Sequence, residues 1–249
     1  MGDVLKIEGL NKSFGGIKAT DNLNLAVATG ELHAVIGPNG AGKTTMISQL
    51  SGAQRPDTGR ILFKGRDITA LPTHRRAHLG ITRSFQITSL IMDMSVLDNV
   101  AMALQAREGH SFRFIKVARS ISHLRSKGLE YLDRVGLAAK ADQQTVALSH
   151  GEHRRMELAI ALASEAELML LDEPMAGLGS QESHEMVDLL RNLKGKHSIL
   201  LIEHDMDAVF ALADRVTVLV YGRVIACGTP NEIRDNEEVR HAYLGEGDT

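Results

Sequence analysis

The run Gly37-Pro38-Asn39-Gly40-Ala41-Gly42-Lys43-Thr44 has the residue types and spacing to cradle a chain of phosphates. It fits G-x-x-x-x-G-K-[ST]. Leu32-His33-Ala34-Val35-Ile36 before it reads as a strand, and Thr45-Met46-Ile47-Ser48-Gln49-Leu50 after it reads as a helix. Glycines let the backbone curl until successive N–H groups point inward at an anion. The helix that follows aims its unpaired N–H groups and its positive dipole end at the same anion. Lys43 adds a point charge for the outer phosphates, and the Thr44 hydroxyl is a hard oxygen ligand for Mg2+. A plain glycine turn would need neither residue. The expectation is a nucleoside triphosphate site.

A second set of chemical groups lies downstream. Leu168-Met169-Leu170-Leu171 is an unbroken apolar run ending in Asp172-Glu173, as expected of a central parallel strand with carboxylates at its tip. Burying two acids there is costly without a purpose. Beside a triphosphate loop, Asp172 would hold Mg2+ and Glu173 would orient or deprotonate water. Ser198-Ile199-Leu200-Leu201-Ile202 is another buried strand, delivering Glu203, His204 and Asp205 to its carboxyl end. His204 is either structural or a phosphate contact. Ser149 and Glu152 have the spacing of a capping box, and the same serine at a helix start could instead serve a second anion site. Phe14, before Gly15-Gly16, is either a core residue or an exposed platform for a base.

The elements that must position these groups follow from periodicity. Val4–Gly9 and Asp21–Val27 read as strands, the second with Leu23, Leu25 and Val27 on one face. Arg60–Phe63 is a strand after the turn at 55–59, and Thr73–Ala77 reads as a short surface helix carrying charges. His74 and His78 share a helix face, but no Glu completes a zinc signature, so they read as solvated. Ile81–Gln86 reads as a strand ending at the ligand crevice. From Val96 to about Ala141 the pattern turns helical. Its basic middle, with Arg107, Arg113, Lys116, Arg119, Arg125 and Lys127, is open to two readings: a solvated face or a surface near anionic headgroups. Gln181–Lys194 reads as an amphipathic helix, and 216–227 as a hairpin around Gly222.

Bulk properties narrow the class. The 249 residues are 43% hydrophobic and 24% charged, an ordinary globular composition long enough for a full core. A net charge of −3 argues against a nucleic-acid partner. The single cysteine, Cys227, fits a reducing compartment. No apolar run approaches the roughly 18 residues of a membrane span, and the start shows neither a signal-peptide nor a myristoylation pattern. The expectation is a cytoplasmic chain.

In this order the pieces resemble the nucleotide-binding subunit of ATP-binding-cassette transporters over nearly the whole chain: aromatic, phosphate loop, Gln86, Leu148-Ser149-His150-Gly151-Glu152, apolar run with Asp-Glu, then His204. Thr82-Arg83-Ser84-Phe85-Gln86, Ile202-Glu203-His204-Asp205-Met206 and Tyr221-Gly222-Arg223-Val224-Ile225 look like the branched-chain amino acid and amide importer subgroup. The resemblance implies an α/β fold: a P-loop NTPase core with a mostly parallel sheet, an N-terminal antiparallel β region and an inserted α-helical subdomain. Residues 1–249 would form one ATPase domain, with core 1–86 and 155–249 and helical subdomain 87–154. It implies that Phe14 stacks on adenine and that Gly37, Pro38, Asn39, Gly40, Ala41, Gly42, Lys43, Thr44 and Thr45 hold the phosphates. Gln86 and Asp172 join Thr44 at Mg2+, Ser149 and Gly151 contact ATP, Glu173 is the catalytic base and His204 the γ-phosphate switch. Cofactors would be ATP and Mg2+.

The implied partners are transmembrane permease subunits, a second ATPase copy or paralogue, and indirectly a substrate-binding protein, at the inner face of the membrane. Other cargo, such as urea, amides, aromatic acids or lipopolysaccharide, stays open. A non-transport cassette protein would need a long coiled-coil insertion or two cassettes, and this chain has one P-loop. Two departures stand out: His150 and Glu152 replace the first Gly and the Gln of L-S-G-G-Q, and Gly179 stands where many members have Asp.

Overall fold

The structure, a computed structural model, describes residues 2–83, 90–108 and 117–244. The chain opens with β1 (Asp3–Phe14) and β2 (Ile17–Ala28), then β3 (Leu32–Ile36), α1 (Lys43–Ser51), β4 (Thr58–Phe63), β5 (Arg66–Asp67), α2 (Thr73–Leu79) and β6 (Ile81–Arg83). Helices α3 (Val96–Glu108), α4 (Val117–Arg134) and α5 (His150–Ala163) follow. Then come β7 (Leu168–Asp172), α6 (Ser180–Leu193), β8 (Ser198–Ile202), α7 (Met206–Leu212), β9 (Arg215–Val220), β10 (Arg223–Gly228), α8 (Pro230–Asp235) and α9 (Glu237–Leu244).

Two compact units result, one of Met1–Arg83, Glu167–Glu173 and Leu190–Thr249, the other of Ser84–Ala166 and Pro174–Leu189. The first holds both sheets. An antiparallel sheet runs β2-β1-β4-β5, and a second sheet runs β10-β9-β3-β8-β7-β6, parallel throughout except for its edge strand β10. The apolar runs of β3, β7 and β8 are buried at every residue, as strands covered on both faces must be. Helix α1 packs into the same core as both sheets: Met46, Ile47 and Leu50 join Leu5, Ile7, Val27 and Ile61 of one and Val35, Leu170 and Ile202 of the other. The phosphate-loop candidate is therefore anchored by the helix it opens onto.

In the first unit, β1 and α2 depart from the sequence reading. β1 does not stop at Gly9 but bends there, at φ +56 with a register shift, and continues to Phe14 at the tip of the hairpin. The strand expected over Ile81–Gln86 is seen as Ile81–Arg83, residues 84–86 lying outside the described ones. The charged helix α2 is not all surface: Arg76 is only 1% exposed. Its guanidinium donates to the carbonyls of Leu71, Thr69, Gln49 and Leu50, the last two at the C-terminal turn of α1. A fork of five donors satisfies the carbonyls a helix end leaves unpaired. Burial draws its pKa down to about 10, so it stays charged at neutral pH.

In the second unit, α5 packs on α3 and α4 and runs unbroken to Ala163, so a subdomain boundary at 154/155 would cut a helix. Leu97, Val100 and Leu104 of α3 are buried together as the periodicity predicts. The basic middle is tied internally: Arg107 pairs with Glu165, and Arg125 with both Asp98 and Asp142. Those partners favour the solvated-face reading over a headgroup surface. Arg113 and Lys116 lie outside the described residues. In α6, Met186, Leu190 and Leu193 are buried, as the amphipathic pattern requires.

Arg76→Ala strands buried carbonyls at the base of the loop helix. Urea unfolding should show a loss of about 2–4 kcal/mol, the scale of unmet buried hydrogen bonds to a charged group.

Candidate functional site

The loop between β3 and α1 is built on close backbone approach. A side chain at Gly37 would run into the Leu219 carbonyl oxygen of β9, and one at Gly42 into the Ala19 carbonyl oxygen of β2. Gly40 is different: nothing crowds its Cβ position, and it is needed for its φ of +78. The Ala41 carbonyl accepts from Gly222 N at 2.9 Å, and the Gly222 carbonyl accepts from Asp21 N at 2.9 Å. Helix α1 begins at Gly42 with no side-chain cap, so its first N–H groups are offered to an anion.

Lys43 folds back over this loop, donating from Nζ to the Gly37 carbonyl at 2.6 Å and the Pro38 carbonyl at 3.0 Å. Burial lowers its pKa, against the attraction of the Glu173 and Asp172 carboxylates. Those two acids therefore share the field of the loop lysine, although they stand on different elements. The Thr44 hydroxyl-bearing residue is exposed at the first turn of α1.

The parallel sheet delivers the remaining groups to its carboxyl edge. Asp172 pairs in register with Ile202 of β8, which pairs with Val35 of β3, so all three strands end together. Asp172 is 2% exposed, and its Oδ2 accepts from Arg83 Nη2 at 2.8 Å. Glu173 follows in the left-handed region at φ +51, uncommon for a side chain this large and typical of functional sites. Its Oε1 is hydrogen-bonded to His204 Nε2 at 2.7 Å. The structure thus brings Lys43, Asp172, Glu173 and His204 to one edge of one sheet. Thr44 and Asp172 offer the hard oxygen donors that Mg2+ prefers, so the residues present fit that ion.

Phe14 is 51% exposed at its hairpin tip, with Lys12 Nζ 5.5 Å from the ring centre, which excludes the core reading. Gln86 lies outside the described residues. In the second unit Ser149 caps α5: its Oγ accepts from Glu152 N at 3.2 Å, and Glu152 Oε2 accepts from Ser149 N at 3.0 Å. Glu152 also pairs with Lys140. Burial pushes the Glu152 pKa up, but Lys140 and the Ser149 amide outweigh it and hold the carboxyl below its usual range. A side chain at Gly151 would meet the Glu182 carboxylate, the far end of a flexible side chain that would have to move aside. His78 is hydrogen-bonded to the His74 carbonyl, and among the described residues no cluster of His, Cys, Asp or Glu could hold a metal by itself.

Sequence reasoning gave Arg83 no role, and it gave Arg76 only a place on a surface helix. Arg83 had no local signal, because its partners Asp172 and Ser48 lie on elements distant in sequence. Arg76 had none either, because a charge on a short helix reads as surface and two of its partner carbonyls, those of Gln49 and Leu50, lie far off in sequence.

A family model described as ABC transporter matches residues 20–176. The chain belongs to the ABC transporter family. A second family model, described as branched-chain amino acid ATP-binding cassette transporter, matches residues 223–249. The chain is 38% identical over 250 residues, 98% of each chain, to the high-affinity branched-chain amino acid transport ATP-binding protein LivG of Escherichia coli K12. It is 35% identical, over 99% of this chain and 98% of the other, to the lipopolysaccharide export system ATP-binding protein LptB of Acidithiobacillus ferridurans. Among solved structures, the ADP conformation of the ATP-binding cassette MJ1267 superposes with a TM-score of 0.85 at 28% identity, covering 98% of this chain and 100% of that one. The dimeric post-hydrolysis state of the cassette MJ0796 bound to ADP and Pi has a TM-score of 0.77 at 25% identity, covering 91% and 98%. As a family member the chain is an ATP-hydrolysing transport subunit with the P-loop fold. No helix among its described residues is long and apolar enough to cross a membrane.

The Ser149 cap separates two duties. Ser149→Ala should lower stability by about 1 kcal/mol through loss of the cap, read by thermal unfolding. Ser149→Asp keeps a good cap and hence the melting temperature, and its added charge should suppress ATP turnover if the serine also meets a phosphate. Undiminished turnover in Ser149→Asp would leave the serine as a cap alone.

Proposed function

We propose that this subunit powers uptake of branched-chain amino acids through a separate transmembrane permease. The match of residues 223–249 to the branched-chain model carries the cargo assignment, and the LivG identity supports it. The similarity to LptB favours lipopolysaccharide export as the second reading. Co-purification of the permease from solubilised membranes separates them, as does leucine uptake into proteoliposomes containing the assembled transporter.

In this reading the loop 37–45 wraps the phosphates, with Phe14 beneath the adenine and Lys43 leaving its loop carbonyls for the outer phosphate oxygens. Thr44, Asp172 and Gln86 would hold Mg2+, which when bound neutralises charge on the β and γ oxygens. Glu173 accepts a proton from the attacking water as the water oxygen bonds to the γ-phosphorus and the bond to the ADP oxygen breaks. His204, already bonded to Glu173, keeps that carboxylate aimed and meets the γ-phosphate. Ser149 and Gly151 would complete the ATP site of a second copy or paralogue, the unit that holds α3, α4 and α5 being the arm that carries them. MJ0796 is described as a dimer bound to ADP and Pi, and the same association is proposed here. ATP would stabilise the closed pair because it makes contacts that exist only when closed. The subunit would sit at the inner face of the membrane, with a substrate-binding protein supplying cargo to the permease.

Glu173→Gln should bind ATP normally and accumulate as an ATP-dependent dimer in light scattering, while hydrolysis falls about 100- to 10,000-fold, as for a lost general base. Lys43→Ala should weaken ATP binding about 10- to 100-fold, the scale of a lost charged hydrogen bond. Unchanged affinity in Lys43→Ala would overturn the triphosphate assignment.

A further inference from the structure

We propose that Arg83 is a positioning residue for the divalent cation that accompanies ATP, holding both segments that carry its protein ligands. This rests on the assignment of Thr44 and Asp172 made above. The placement follows from strand register. Arg83 of β6 pairs with Leu170 of β7, and Asp172 is two residues further along β7, so both side chains emerge on the same face of the sheet. Arg83 Nη2 donates to Asp172 Oδ2 at 2.8 Å, and Arg83 Nη1 donates to Ser48 Oγ at 3.1 Å. Ser48 Oγ in turn donates to the Thr44 carbonyl at 2.7 Å. One guanidinium thus joins the carboxylate to Ser48 of α1 and, through its hydroxyl, to the Thr44 carbonyl.

The chemistry suits that duty. The pair is withdrawn from water, at 12% side-chain exposure for Arg83 and 1% for Asp172, so screening by solvent is weak. A guanidinium has no lone pair, so it can orient the carboxylate without itself becoming a ligand. It engages one oxygen of a group with roughly four acceptor sites, which leaves capacity for a cation. Its planar fork fixes two acceptors at a set angle, which a lysine's single point charge does not. A purely structural ion pair would need only the Asp172 branch. The Ser48 branch, reaching the residue whose hydroxyl is the other hard donor, distinguishes a positioning role.

The test measures metal binding rather than turnover. Mn2+ is titrated by electron paramagnetic resonance into the purified full chain with saturating ATP, and ATP affinity is measured separately in EDTA. Arg83→Met should weaken Mn2+ binding about 10- to 100-fold, the usual cost of losing a partner that orients a metal ligand, with ATP affinity in EDTA within about twofold of the parent. Arg83→Lys should recover only part of the loss, and Ser48→Ala should weaken Mn2+ about three- to tenfold while melting near the parent temperature. If Arg83→Met fails to fold, the lysine and alanine variants decide. Parent-like Mn2+ affinity in both Arg83→Lys and Ser48→Ala would reduce the ion pair to a structural contact and overturn the proposal. Lys43→Ala, run alongside, tells that failure apart from a failure of the ATP site, since only the latter leaves its ATP affinity unchanged.

Discussion

Two carbonyl oxygens, those of Leu219 and Ala19, lie so close to Gly37 and Gly42 that neither position accepts a side chain. One oxygen belongs to β9 of the parallel sheet, the other to β2 of the antiparallel sheet, so the phosphate loop is held between them. The Gly222 turn adds the chain of backbone bonds from Asp21 through Gly222 to Ala41. Below the loop, α1 shares a core with both sheets, and Arg76 ties its far end to the segment around Thr69 and Leu71. A loop with this many fixed points has its ordering cost met during folding, so a ligand need not supply it. The adenine platform candidate, Phe14, sits on the hairpin of β1 and β2, and β2 supplies one of those oxygens. The base and phosphate ends of the site therefore share a support.

Three charges at this edge of the sheet already have internal partners. Lys43 rests on loop carbonyls, Asp172 on Arg83, and Glu173 on His204. Under the proposed assignment, nucleotide binding would be an exchange of partners rather than the pairing of isolated charges, which would keep buried charges from going unpaired in either state. The exchange is strongest for Lys43. Burial disfavours its charged form, and triphosphate oxygens would favour it far more than two neutral carbonyls do. Glu173, in a left-handed backbone conformation, already has its carboxylate bonded to the His204 ring.

What the sequence made legible was whatever rests on local pattern. The phosphate loop, the apolar run into Asp172-Glu173, the strand that presents His204 and the capping box at Ser149 each occupy a few consecutive residues with strong constraints. Phe14 was not decided locally, because its exposure depends on β1 running past the bend at Gly9 to form a hairpin tip. Arg76 and Arg83 were hidden for a related reason. A charged residue on a short helix reads as surface, yet Arg76 is enclosed by carbonyls from α1 and from the segment before α2. Arg83 reads as part of a polar strand end until the register sets it on the same face as Asp172. Pairing across a sheet has no signature in one strand alone.

The departures from the usual signature can be weighed by the same standard. Glu152 in place of Gln would put a negative charge beside phosphate if its side chain pointed outward. It does not: one oxygen accepts from the Ser149 amide, and the carboxylate also meets Lys140. The acid is spent on holding the start of α5, which leaves the Ser149 backbone geometry that a phosphate contact needs. Gly179 has a different explanation, because nothing crowds its Cβ position and its φ is not of the kind only glycine adopts. Packing does not require glycine there. The fold would accept an aspartate, so whatever that side chain does in other members is absent here by chemistry and not by lack of space.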